Sequence, residues 1–118
     1  MKNGYRTYLL HIIDAIKNIE EFTKGCSKER FIKAKIIQDS VIRNLEIIGE
    51  AAKHVPASIR KKYASIEWKR IAGMRDILIH EYFGVDMERV WQVLKARIPE
   101  LKEGISNILR NETDKEQR

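Results

Sequence analysis

Eight consecutive residues, Arg75-Asp76-Ile77-Leu78-Ile79-His80-Glu81-Tyr82, bring an arginine, a histidine and a tyrosine together in a chain that otherwise reads as plain amphipathic helix. This is a minimal kit for cleaving RNA by its own 2′-hydroxyl without a metal. That reaction needs a base for the hydroxyl proton, a cation for the crowded phosphate and a proton for the leaving 5′-oxygen. Arg75 can hold the non-bridging oxygens through paired donors. His80 can act as base or acid, because an imidazole titrates near neutral pH. Asp76, one turn before His80, can orient the ring, and Tyr82 can donate a hydrogen bond or stack on a base. The competing reading is an ordinary helix end.

Helix geometry constrains how these groups meet. Residues five apart are separated by about 140° around the axis and ~7.5 Å along it. Arg75 and His80 therefore diverge on one unbroken helix, whereas Asp76 lies over His80 and Arg75 over Tyr82. A joint site requires either unwinding near His80 or a two-fold axis that sets Arg75 of one subunit against His80 of the other. The dimer is the favoured solution, since two-fold symmetry repeats each pair.

The elements that must carry this octet are legible from periodicity. A first helix from about Tyr5 to Thr23 places Leu9, Ile12, Ile13, Ile16, Ile19 and Phe22 on one stripe. Gly25 stops it, and Ser27 caps a second helix, Lys28 to His54, read as the longest, with Phe31, Ala34, Val41, Leu45, Ile48 and Ala52 inward. Val55-Pro56 ends that helix. A short turn spans Ala57 to Tyr63, and Ser65 caps a helix from Ile66 to Tyr82 with Gly84 as a left-handed stop. Asp86 caps a last helix, in which Pro99 predicts a kink or break. Residues 1–111 make one helical domain, and 112–118 a charged, frayed tail. The fold class is all-α: an antiparallel up-and-down bundle of four main helices plus a short helical turn.

Bulk properties fit a single domain of 118 residues, 43% hydrophobic and 34% charged, with a formal net charge of +6. The charge is localised. Residues 53–75 carry Lys53, Arg60, Lys61, Lys62, Lys69, Arg70 and Arg75 against Glu67 alone, and residues 24–43 sum to +4. Such a field favours a phosphate-rich partner, with Lys61, Lys62, Lys69 and Arg70 as RNA-contacting candidates; a solvated basic face is the plainer alternative. Cys26 stands alone, which excludes an internal disulfide and a cysteine-based zinc site. No apolar run approaches the length of a membrane span, and Met1-Lys2-Asn3-Gly4-Tyr5 lacks a signal-peptide core, so a cytoplasmic protein is expected.

The wider string from Trp68 to Asp86 resembles the signature region of the HepT family, HEPN-domain toxins of prokaryotic toxin–antitoxin pairs. The family pattern is Arg, a polar residue, three further residues, His, any residue and Tyr, which Arg75, Asp76, His80 and Tyr82 match. Asn44 to Lys53 resembles the family's Ile-Gly-Glu-Ala stretch, and Val90, Trp91 and Pro99 also correspond. The resemblance covers essentially residues 5–110. It implies a four- or five-helix bundle, a homodimer with the Arg/His pairs at a cleft, and metal-independent endoribonuclease activity without a cofactor. It also implies a minimal nucleotidyltransferase antitoxin that transfers AMP to the motif tyrosine, here Tyr82, in a type II or AMPylation-controlled pair.

The remaining candidates read as structural. His11 and His54 are isolated, Trp68 and Trp91 lie on apolar stripes, and scattered histidines without clustered carboxylates argue against a metal site. Glu50, beside Gly49 and Ala51-Ala52, is expected to form a buried pair with a basic residue where small side chains let helices approach. Two functions from different classes remain: a ribonuclease acting through Arg75, His80 and Tyr82, and a non-catalytic helical partner of a nucleotidyltransferase.

Overall fold

A computed structural model describes residues 4–80, 84 and 86–116, and every described element is helical. Four long helices, α1 (Gly4–Thr23), α3 (Lys35–Lys53), α5 (Trp68–His80) and α6 (Met87–Glu116), are joined by two short ones, α2 (Lys28–Lys33) and α4 (Ala57–Lys62). α3 packs against both α1 and α5, while α6 closes over α1 and α2. The core is the predicted set of stripes: Leu9, Ile12, Ile16, Phe31, Val41, Leu45, Ile48, Ile105 and Ile108 are all sealed from solvent. Phe22 departs from its stripe and is 47% exposed. Gly25 takes φ +70° just past α1, the left-handed stop expected there.

The predicted Lys28–His54 helix is two helices. Ala34 leaves helical geometry at φ −97°, ψ 87°. Beside the break Gln38 Nε2 donates to Phe31 O and Ile32 O, both at 2.8 Å, and Phe31 O also accepts from Ala34 N at 3.3 Å. α2 is thereby turned onto α6, where Phe31 meets Trp91 with ring centroids 5.3 Å apart. Ser27 caps α2 as expected, accepting from Arg30 N at 3.1 Å.

α5 begins two residues later than predicted, and Ser65 does not cap it. Ile66 is drawn onto α6 instead, where it packs against Gly104 so closely that a Cβ there would sit 2.9 Å from Ile66 Cδ1. Trp68 then opens the helix, its Nε1 donating to Tyr63 O at 3.1 Å, and Glu67 supplies the first carbonyl to Ile71 N. The predicted end at Tyr82 lies outside the described residues. Gly84 occupies a 3₁₀ turn rather than the left-handed stop.

α6, not the second helix, is the longest element, with 30 residues. Asp86 caps it through Glu88 N at 3.0 Å. The helix runs on through Pro99 without a break, because Pro99 lies on the exposed side, where water can satisfy the carbonyl one turn back. It also continues to Glu116, past the point where the sequence suggests fraying: Glu112 is gripped by Tyr63 Oη at 2.6 Å and Lys62 Nζ at 2.9 Å. No helix among the described residues is long and apolar enough to cross a membrane.

Candidate functional site

Arg75 lies where α5 crosses α3 at its closest. The contact depends on Gly49: a Cβ at that position would stand 2.7 Å from Arg75 Cβ, 3.0 Å from Ile71 O and 3.1 Å from Arg75 N. The absence of a side chain therefore sets how near Arg75 comes to α3. The next residue, Glu50, is then in place to receive it, with Arg75 Nε 2.8 Å from Glu50 Oε2. On its own helix Arg75 Nη1 donates to Asp76 Oδ1 at 3.3 Å, and that same oxygen accepts from Lys53 Nζ at 3.1 Å. The hydrogen bond from Lys53 holds the Asp76 carboxyl below its ordinary range, and Arg75 adds to the effect against some desolvation.

The guanidinium is thus tied through Nε and Nη1 to two carboxylates from two helices, while its side chain remains 34% exposed. A planar fork fixed in this way presents its outer edge in a defined direction, as recognition of a phosphate requires. The expected partnership of Glu50 with a basic residue is found, but it is not buried: the Glu50 side chain is 49% exposed.

His80 is the last residue of α5, which stays helical from Trp68 to that point. Unwinding ahead of His80 therefore does not bring it to Arg75. The side chain of His80 and the whole of Tyr82, and with them the expected pairing of Asp76 with His80, lie outside the described residues.

Of the four basic candidates, Lys61, Lys69 and Arg70 line one open groove between α4 and α5, with Trp68 and Glu67 along it. Lys62 is not among its lining residues and pairs with Glu112 on α6. Arg60, which the sequence does not single out, joins the groove instead, and its buried Nε has no hydrogen-bond partner among the described residues.

A second cavity, of about 250 Å³, opens beside Arg75 and is lined by Tyr8 and His11 of α1, Arg43, Glu46 and Glu50 of α3 with His54 just past its end, and Arg75 of α5. Here the two histidines read as isolated meet the site. Tyr8 stacks on His54 with ring centroids 4.5 Å apart and 13° between planes, and lies edge-on to His11 at 6.0 Å. His54 Nε2 stands 3.6 Å from Glu50 Oε1, so one carboxylate faces both His54 and Arg75. The four-residue spacing of Glu50 and His54 was a legible signal. Their meeting with Arg75 and Tyr8 comes only from the packing of α1 and α5 on α3. Among the described residues no three His, Cys, Asp or Glu side chains converge as a metal-binding group.

Comparison with known proteins assigns this architecture. The family model described as Ribonuclease HepT-like matches residues 12–108. A Methanocaldococcus jannaschii protein named "Gamma-glutamylcyclotransferase and putative RNase" is 50% identical over 115 residues, which cover 98% of this chain but 51% of that one, so the chain spans about half of that relative. A "Putative RNase" of Caldanaerobacter subterraneus subsp. tengcongensis is 45% identical over 107 residues, covering 91% of this chain and 96% of the relative. A "Probable ribonuclease HepT" of Thermococcus cleftensis is 47% identical over 102 residues, covering 86% and 93% respectively. No solved structure matches the chain. With the family model spanning most of the helical bundle and relatives at this identity along nearly their whole length, the chain belongs to the Ribonuclease HepT-like family.

Proposed function

We propose that this chain is the ribonuclease toxin of a toxin–antitoxin pair, cleaving RNA without a metal at a composite site in a homodimer. The observation that carries the reading is Arg75, fixed by Glu50 and Asp76 over the Gly49 contact, in a chain whose relatives bear ribonuclease names. In the reaction the 2′-oxygen bonds to phosphorus as the bond to the 5′-oxygen breaks. One proton leaves the 2′-hydroxyl and one reaches the leaving oxygen. Arg75 neutralises the charge that builds on the non-bridging oxygens, and His80 of the other subunit transfers a proton. The groove of Arg60, Lys61, Lys69 and Arg70 guides the flanking backbone by charge.

The partner is a minimal nucleotidyltransferase that silences the toxin by adenylylating Tyr82, two residues beyond His80. The added phosphate would cancel the positive field beside the site. The test is cleavage of a defined RNA by purified protein in chelator. Wild type is expected to cut, and Arg75→Ala and His80→Ala each to lose at least about 100-fold in rate. Undiminished cleavage by either variant would remove its residue from the mechanism. A wild type that never cuts, yet binds the nucleotidyltransferase, would favour the non-catalytic partner. Co-expression with that partner is expected to add ~329 Da steps that vanish in Tyr82→Phe.

A further inference from the structure

The cleavage chemistry calls for two proton-transfer groups, and His80 is only one. The cavity beside Arg75 holds two further imidazoles, those of His11 and His54. His54 sits at the C-terminal end of α3 with its Nε2 3.6 Å from Glu50 Oε1, while the other oxygen of that carboxylate holds Arg75 Nε at 2.8 Å. We infer that His54, oriented by Glu50 and backed by the Tyr8 ring, is the general base that takes the 2′-hydroxyl proton from RNA held by Arg75. The inference rests on the ribonuclease reading above and assigns His80 the role of acid.

Three features support it. The Glu50 carboxylate at 3.6 Å, an ion-pair separation rather than a hydrogen bond, favours the proton on Nε2 by charge and leaves Nδ1 as the acceptor. The ring is held in plane by stacking 4.5 Å from Tyr8, which limits its rotation. The His54 side chain is 47% exposed, so a ribose hydroxyl can reach it. The charged and titratable groups around it are His11 and Tyr8 from α1, Arg43, Glu46 and Glu50 from α3, and Arg75 from α5. In the step itself His54 Nδ1 gains the proton as the bond from the 2′-oxygen to phosphorus forms. The 5′-oxygen leaves with the proton given by His80, so charge and atoms balance.

The experiment is a pH–rate profile of RNA cleavage by wild type, His54→Asn, His11→Asn and His80→Ala, repeated with a substrate whose leaving 5′-oxygen is replaced by sulfur. A base must be unprotonated to act, so wild-type activity is expected to fall towards acid pH. His54→Asn is expected to lose about 100-fold in kcat, keep KM within about threefold and lack that acidic limb. The sulfur substrate, whose leaving group needs no proton, is expected to rescue His80→Ala but not His54→Asn. His11→Asn is expected to retain the wild-type profile.

A His54→Asn profile of unchanged shape, whether the rate is kept or lowered uniformly, would overturn the inference, as would loss of the acidic limb in His11→Asn instead. Rescue of His54→Asn by the sulfur substrate would make it the acid and refute the assignment. If wild type never cuts, the ribonuclease reading falls, and if Arg75→Ala and His80→Ala both cut normally, the Arg75/His80 site falls, each on its own evidence. If they fail while His54→Asn is normal, only this inference falls.

Discussion

The guanidinium of Arg75 is held by Glu50 from one helix and Asp76 from its own, so its direction is set before any phosphate arrives. Pre-organisation of this kind is sensitive to small displacements. Gly49→Ala would place a Cβ 2.7 Å from Arg75 Cβ, with backbone rather than a flexible chain end on its other sides, so α5 must move. The expected result is a loss of at least about tenfold in RNA cleavage, with stability reduced by about 1–3 kcal/mol, read from kinetics and chemical denaturation of one preparation; full activity would show that the close approach does not matter. Asp76 gives a pH prediction. Its folded-state pKa is depressed, so its contribution to stability is complete above the ordinary aspartate range and disappears as pH falls through and below it. Thermal unfolding from pH 7 to pH 2 should therefore show a smaller acid-induced fall in Tm for Asp76→Asn than for wild type. Arg75 and Asp76 were legible from motif spacing, and that Glu50 meets a basic residue from its small neighbours, though not that the residue is Arg75 or that the pair is exposed. His54 was not, since its relation to Arg75 spans 21 positions and exists only once α3 and α5 pack.

At the scale of elements, the break at Ala34 shows where periodicity misleads. The apolar stripe is continuous across it and alanine is the best helix former, so neither pattern nor propensity signals a stop. α2 ends where Phe31 turns onto Trp91 and Gln38 donates to two carbonyls beside the break, one of which also accepts from Ala34 N. Gln38→Ala is expected to cost about 1–2 kcal/mol, measured by denaturant unfolding; no change would mean that water serves those carbonyls equally well. The end of α6 carries the same lesson. Its last turns look like a charged tail, yet Glu112 is bound by Tyr63 and Lys62 from the α4 region, 49 and 50 residues away. Burial of Tyr63, then its bond to Glu112, raises the phenol pKa. That contribution is intact below the ordinary tyrosine value and is lost as pH rises beyond it. The four long helices and most of the inward stripe of α1, α3 and α6 were nonetheless legible, because each repeats its stripe for several turns.

The whole molecule is a bundle 49 Å long, a length set by the 30-residue α6, with its basic groove on α4–α5. α5 stays a regular helix through His80, which leaves Arg75 and His80 of one chain about 140° apart around its axis. In the proposed composite site the functional pair forms between chains, and a two-fold axis would make two such pairs per dimer. Mixing tests this. Arg75→Ala and His80→Ala chains, each inactive alone, are unfolded together, refolded at equal concentration and assayed on RNA. Half of the dimers should be mixed, and each mixed dimer keeps one intact Arg75/His80 pair, so about a quarter of the wild-type rate is expected to return. Activity no higher than that of the two variants assayed separately, in a sample shown by mass to contain mixed dimers, would contradict the composite site.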